Sequence, residues 1–392
     1  DLFKKGLNFI QEDAARTLAD QRTIVAIPAP PFKEKARGEY YLKRLKELGL
    51  KDVQMDKEGN VFGIRPGSGK GPKILVEAHL DTVFPEGTNT IPSEKDGKIY
   101  APGIADDSRG LAALLSVVRA FHASGIKTVG DVIFCASVGE EGLGDLRGMK
   151  AFFRDHKDIA ASVSIDGTSV NRITYLATGS HRYEVIFKGP GGHSFGAFGT
   201  PSTIHAMGRA IAKIADVEAP KSPKTTFTVG VVSGGTSVNS IAAEARLQLD
   251  MRSNSQEELL KIESKILPLI QEAVDEENAR WGSDKIVAEV KLVGDRPAGS
   301  QSNNGMIVQC AWLATKVIGQ EPELTAASST NANLPISIGV PAITIGGGGA
   351  DGRNHSPDEW YDPQKAYLGP QKIFAVILGL AGVEGLTEPL IK

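Results

Sequence analysis

Hydrophobic and polar positions change their rhythm several times along this chain of 392 residues. Residues 8–26 place Ile10, Ala14, Leu18 and Ile24 near helical spacing, and the run Pro28-Ala29-Pro30-Pro31 ends that helix. A second helix is expected over residues 33–49, closed by Gly49. Short strands at 53–56 and 61–64 flank the turn Glu58-Gly59-Asn60. The rhythm then turns to continuous apolar runs: KILVEAH (73–79), DVIFCASV (131–138) and AASVSID (160–166). Runs of this kind belong to strands covered on both faces. Helices are expected between them, over 111–123 and 145–156. Such alternation predicts a parallel or mixed sheet with helices on both sides.

Near residue 180 the pattern becomes antiparallel in style. RYEVIFK (182–188) alternates polar and apolar, as a half-exposed strand does. A helix follows over 201–215, then strands at 225–232 and 243–252. A long helix begins at Asn254, with Ser255 and Glu258 spaced as a capping box and Pro268 expected to kink it. A last strand covers 286–293. The order β-α-β-β-α-β is that of a ferredoxin-like sandwich. After Arg296-Pro297 the α/β rhythm resumes, with a helix over 303–318, a strand over 341–346 and a helix over 363–382. The fold class expected is therefore α/β. A catalytic domain of residues 1–179 and 296–392 is interrupted by a ferredoxin-like α+β domain of residues 180–295.

Composition adds exclusions more than assignments. The chain is 41% hydrophobic and 23% charged, close to globular averages, so metal would serve chemistry more than folding. A net charge of −3 argues against nucleic acid as a partner. No run approaches the ~18 apolar residues of a membrane helix. The two cysteines, Cys135 and Cys310, lie in apolar stretches and read as buried thiols, which suits a reducing, cytoplasmic setting. No signal peptide is visible, although the chain starts at Asp1 without Met.

Several charged residues fall at the ends of the buried runs. His79 and Asp81 end one strand, two residues apart and so on one side of an extended chain. By itself that pair fits a structural His–Asp contact as well as a ligand with its orienting partner. Asp106 and Asp107 open the Ala-rich helix; Asp107 fits an N-cap, while Asp106 lies one step earlier in a Gly-flanked loop where a carboxylate can bridge two cations. Glu140 and Glu141 follow DVIFCASV, and Asp166 ends AASVSID. Adjacent carboxylates repel unless something cationic lies beside them. The carboxyl ends of strands are where open α/β sheets place ligands. His355 follows the strand PAITIG and the run Gly346–Gly349, expected as a flexible turn that delivers it. Those glycines lack the following Lys-Ser/Thr of a nucleotide loop.

Six stretches, AHLDTVFPEGT, YAPGIADDSRG, SVGEEGLG, SIDG, GPGGHSFGAFGTP and NHSPDEW, occur in that order. Together they resemble the co-catalytic zinc family of aminoacylase, carboxypeptidase G, acetylornithine deacetylase and peptidase T. The resemblance implies two divalent ions, zinc by the mix of His and carboxylate ligands. His79, Asp106 and Asp166 would hold one ion, and Asp106, Glu141 and His355 the other. Glu140 would be general base on a metal-bridging water, and Asp81 would orient His79. The inserted domain would be a lid and homodimer contact, with His193 stabilising an oxyanion and Asn239 and Arg252 binding substrate. The expected activity is hydrolysis of amide bonds in small peptides or N-acyl amino acids. Aminopeptidase, carboxypeptidase and deacylase remain alternatives, as does a non-catalytic metal-binding homologue. Residues 325–335, where Asn331 replaces the Asp of many relatives, are expected to help set specificity.

Overall fold

The computed structural model describes every residue, Asp1–Lys392. The chain divides into two compact units, Asp1–Ala177 with Ser300–Lys392, and Thr178–Gly299. The first unit begins with α1 (Leu2–Glu12), α2 (Ala14–Val25), α3 (Lys35–Glu47), β1 (Lys51–Met55), β2 (Val61–Arg65) and β3 (Lys73–His79). It continues with α4 (Ser108–Ser124), β4 (Asp131–Ser137), α5 (Arg147–Asp155), β5 (Ile159–Ile165) and β6 (Arg172–Thr174). The second unit supplies β7 (Gly179–Lys188), α6 (Thr203–Ala215), β8 (Thr225–Gly234), β9 (Glu244–Ser253), α7 (Gln256–Arg280) and β10 (Val287–Arg296). The first unit resumes with α8 (Met306–Val317), β11 (Glu323–Leu324), β12 (Ala342–Ile345) and α9 (Leu368–Ala381).

The main sheet of the first unit has eight strands in the order β1-β2-β4-β3-β5-β12-β6-β11. β4, β3, β5 and β12 are mutually parallel, while β1 and β2 run antiparallel at one edge. The sheet is mixed, as the apolar runs predict. Its register aligns the carboxyl ends: His79 pairs with Ser137, Glu77 with Ser164, and Ser164 with Thr344. Whatever follows those four strands is therefore delivered to one edge of the sheet. α4 is buried along almost its whole length and packs on β3, α1, α2 and α9. On the other face of the sheet, Leu75 and Ile133 cluster with Met149 and Phe152 of α5. Each fully buried Val, Leu or Phe contributes about 1.5–3 kcal/mol.

One helix expected over 8–26 is two helices meeting at Asp13. The Asp13 carboxylate is drawn inward, taking hydrogen bonds from Arg119 Nη2 (2.6 Å) and Nε (2.9 Å) and from Ser116 Oγ (3.0 Å). A short acid that bonds elsewhere competes with helix continuation. The α4 start follows the cap rule: Asp107 Oδ1 accepts the Gly110 N–H at 3.1 Å.

The second unit shows the β-α-β-β-α-β order, with an antiparallel sheet β8-β9-β7-β10 covered on one face by α6 and α7. Ser255 Oγ accepts the Glu258 N–H at 3.3 Å at the start of α7. That helix runs unbroken through Pro268. Both cysteines are buried and free, and no helix is long and apolar enough to cross a membrane.

Candidate metal centre

His79 closes β3 and is only 2% exposed. Its Nδ1 lies 2.9 Å from the Asp81 carbonyl oxygen. A carbonyl only accepts, so Nδ1 carries a proton, and Nε2 is the ring atom left for a second cation, a proton or a metal ion. Nε2 faces Asp106 Oδ1 at 3.0 Å. The other Asp106 oxygen, Oδ2, lies 3.0 Å from His355 Nε2, which is also 3.0 Å from Glu141 Oε1. One carboxylate thus sets each of its oxygens against a different imidazole. Ligand atoms of His79, Asp106 and Glu141 all lie within 4.8 Å of one another.

These groups perturb one another strongly. Burial disfavours charge on His79, but hydrogen bonds to the acids outweigh it and hold the imidazole well above its ordinary range. Asp106 and Glu141 raise His355 to about 10. Burial would raise Asp106, yet the two imidazoles bring it well below the usual carboxylate range. Burial, then the Asp106 charge, raises Asp166. A crowd of acceptors like this is satisfied by positive charge among them.

Asp81 does more than its sequence position implies. Its carboxylate oxygen is 3.6 Å from His79 Nδ1, farther than its own carbonyl, so the orienting contact belongs to the main chain. The carboxylate instead accepts the N–H groups of Glu140 (3.0 Å) and Glu141 (2.8 Å). Asp81 thereby fixes the start of the loop after β4, where Glu140 is 5% exposed. Asp107 acts similarly, taking the His79 N–H at 3.0 Å while it caps α4. Asp166 follows β5, with its N–H on the Ile345 carbonyl at 3.0 Å and its carbonyl bonded by Arg172.

One expectation needs correction. The turn Gly346–Gly349 is not loose: Gly347 and Gly348 donate to the carbonyls of Gly167 (2.8 Å) and Thr168 (2.9 Å). A Cβ on Gly348 would lie 2.1 Å from the Ala366 oxygen, so glycine is there for close backbone approach. Asn331, placed by sequence in a specificity loop, is 3% exposed. Its Nδ2 donates to Glu77 Oε2 (2.8 Å) and Ser137 Oγ (2.9 Å), beneath the strand ends.

Sequence reasoning missed the residues that hold the loops. Arg109, buried in α4, donates from Nε to Gly347 O (2.7 Å) and from Nη2 to Ala366 O (2.8 Å). Glu359 accepts three backbone N–H groups from the Asp106 loop: Gly103 (2.9 Å), Ala105 (2.9 Å) and Asp106 (3.1 Å). Burial pushes its carboxyl up to about 7, but all three neighbours donate, so this geometry satisfies the ionised form. The one sequence signal for Glu359 was its place in NHSPDEW.

The remaining site residues belong to the second unit. His193 is exposed, and its Nδ1 accepts the N–H groups of Phe195 and Gly196, both at 3.2 Å. The neutral ring therefore carries its proton on Nε2. Residues 192–193 pair with 240–241, and the Asn239 carbonyl accepts the Ser194 N–H at 2.9 Å. Asn239 Oδ1 accepts from Ser237 Oγ at 2.6 Å. Arg252, on β9, is engaged by Asp250 at 2.7 Å.

Buried strand ends that gather imidazoles and carboxylates around an acid with both oxygens engaged define a metal-dependent hydrolase. The chain belongs to peptidase family M20/M25/M40, whose model matches residues 75–378. It is 22% identical over 346 residues to a succinyl-diaminopimelate desuccinylase of Nitrosospira multiformis, covering 83% of this chain and 88% of that one. It is 26% identical over 232 residues to carboxypeptidase G2 of a Pseudomonas species, a match spanning 55% of this chain and 54% of that protein. Among solved structures, the aminopeptidase PepT of Bacillus cereus superposes with a TM-score of 0.73 at 23% identity, over 93% of this chain and 98% of that one. The Bacillus subtilis YxeP protein, described as a dinuclear metal-binding peptidase of the M20 family, gives 0.66 at 18% identity, over 94% and 99%.

Proposed function

We propose that the protein is a two-metal amidohydrolase that cleaves small peptides or N-acyl amino acids, with Glu140 as its general base. The observation that carries this reading is the Asp106 carboxylate, whose two oxygens face His79 Nε2 and His355 Nε2 at 3.0 Å each. The residues fit a metal pair: with Nδ1 of His79 protonated toward a carbonyl, Nε2 is turned to a carboxylate-rich site that positive charge satisfies, a proton in the free protein or a metal ion in the loaded one. His79, Asp106 and Asp166 would hold one ion and Asp106, Glu141 and His355 the other. The mixed His and carboxylate donors favour zinc. When bound, the ions supply Lewis acidity to the scissile carbonyl and to water.

This chain's residues then do the remaining work. Asp81 positions the Glu140 and Glu141 main chain through two N–H bonds. Glu140 takes the proton released as water attacks the amide carbon and later delivers it to the leaving amine. His193 offers its Nε2–H to the developing oxyanion, and Asn239 and Arg252 contribute to substrate binding. Residues 180–295 serve as lid and homodimer contact, and the buried, free cysteines accord with a cytoplasmic setting. Desuccinylase, carboxypeptidase and aminopeptidase relatives leave the leaving group and the acyl part as the choice to be measured. The deciding experiment assays metal-loaded protein against di- and tripeptides and against N-acetyl, N-succinyl and folyl-glutamate amides, with and without chelator. Glu140→Gln should lower kcat by roughly 10²–10⁴-fold with metal content unchanged; retained turnover in the metal-loaded variant would overturn the assignment.

A further inference from the structure

Glu359 is fully buried and stands in the same loop as His355, four positions on. Its side chain reaches across 253–256 residues of sequence to accept the N–H groups of Asp106, Ala105 and Gly103. The main chain repeats the link: Ala101 N–H donates to the Glu359 carbonyl at 3.2 Å, and Trp360 pairs with Tyr100 in a small antiparallel sheet. One carboxylate therefore ties the loop bearing Asp106 to the loop bearing His355. The three hydrogen bonds its carboxylate accepts all come from backbone donors, so it is spent on positioning and is not a ligand.

The rest of the site shows why this tie matters. His79 is anchored without it, by β3 and by the Asp81 carbonyl. His355 has no such support: it is 53% exposed, lies outside any strand and has a positive φ of 63°. Asp106 lies in a turn before α4, outside helix and strand. We propose that Glu359 is a positioning residue that presets the Asp106 carboxylate between the two imidazoles, and that the ion on the His355 side depends on it more than the ion on the His79 side. This rests on the two-metal reading of the centre.

Glu359→Gln keeps the shape but turns an NH2 group toward backbone N–H donors. Metal titration of apo protein should find two ions per chain in the wild type. In Glu359→Gln one ion should bind with unchanged affinity and the second at least ~10-fold more weakly, in the range seen when partners of metal ligands are removed. The cobalt-substituted variant should lose the visible absorption of one site, and kcat should fall with KM nearly unchanged. Glu359→Asp, which withdraws the charge by one methylene, should show the same pattern to a smaller degree. Both ions binding as in the wild type would overturn the proposal, as would equal weakening of both with a parallel fall in apo Tm. A wild type that binds no metal pair overturns the parent reading and this one with it, whereas an intact pair in the variant overturns this one alone. Should neither variant fold, hydrogen exchange of the native chain decides. Residues 101–106 protected as strongly without metal as with it support the clamp; exposure of that segment in the apo protein overturns it.

Discussion

The cluster at the strand ends of the first unit and the exposed residues of the second satisfy their polar groups in opposite ways. At the strand ends, the carboxylates of Asp106 and Glu141 face the imidazoles of His79 and His355, and the surrounding main chain holds them there. In the second unit each side chain is satisfied by its near neighbours: His193 by the turn that follows it, Asn239 by Ser237, Arg252 by Asp250. The difference separates two kinds of chemistry. Carboxylates gathered on imidazole nitrogens call for positive charge, a proton or a metal ion, whereas a residue satisfied at home exchanges its partner for substrate at little cost. Burial sharpens the first case, because a low dielectric strengthens every uncompensated charge.

The most severe way to break the contrast is Asp106→Ala, which removes the one carboxylate shared by both imidazoles. Bound metal should drop below one ion per chain and activity by more than ~10⁴-fold, beyond the loss of a general base alone. Metal analysis after gel filtration checks it, and a variant that retains two ions would defeat the shared-carboxylate geometry. Asp81→Ala should act next most strongly. It leaves the Glu140 and Glu141 N–H groups without their acceptor and should cost roughly 10–100-fold in metal affinity or activity. Parallel metal titration and steady-state kinetics would read this, and wild-type values in both would refute it.

One cation in each unit should answer pH in the opposite direction to the other. Lys372, in α9, donates to the carbonyls of Val170 and Arg172, and burial with the nearby Arg172 charge lowers it to about 7. The unfolded chain binds more protons than the folded one between that value and the ordinary lysine range. The Lys372 contribution to first-unit stability therefore improves as pH rises through that window. His181, on β7, is raised by its hydrogen bond to Asp295, against burial, and then by Glu263. Its contribution is present below the ordinary histidine value and is lost as pH rises through the raised one. Hydrogen exchange resolved by unit should show Lys372→Met and His181→Gln changing the pH slope of their own units in opposite senses; slopes unchanged by the variants would remove these two groups as a cause. The smallest effect is reserved for Arg252→Ala. An exposed ion pair is worth about 0–1 kcal/mol, so Tm should barely move, while KM should rise if Arg252 binds substrate. A fall in Tm with unaltered KM would make the Asp250 contact structural only.

Much of the fold was legible because its signals are local. Continuous apolar runs marked β3, β4 and β5, and alternation marked β7. Ser255 and Glu258 marked the start of α7. Failures came where a distant partner overruled a local rule. Asp13 splits a helix because Arg119 and Ser116, more than a hundred residues away, bind its carboxylate. The Gly346–Gly349 run reads as loose only until the backbone of Gly167 and Thr168 packs against it.

Sequence alone determined the layer architecture, the strand ends at which chemistry could gather and the residue types able to hold a cation. Those follow from periodicity and from side-chain chemistry, which each short segment carries within itself. Tertiary structure alone decided that both oxygens of Asp106 meet imidazoles from opposite ends of the chain, that Asp81 serves the glutamates through its carboxylate and His79 through its carbonyl, and that Glu359 holds the Asp106 loop. These contacts, most of them between main chain and side chain, reach across as many as 256 residues. A backbone N–H has no identity in a sequence, so only the folded chain shows which carboxylate receives it.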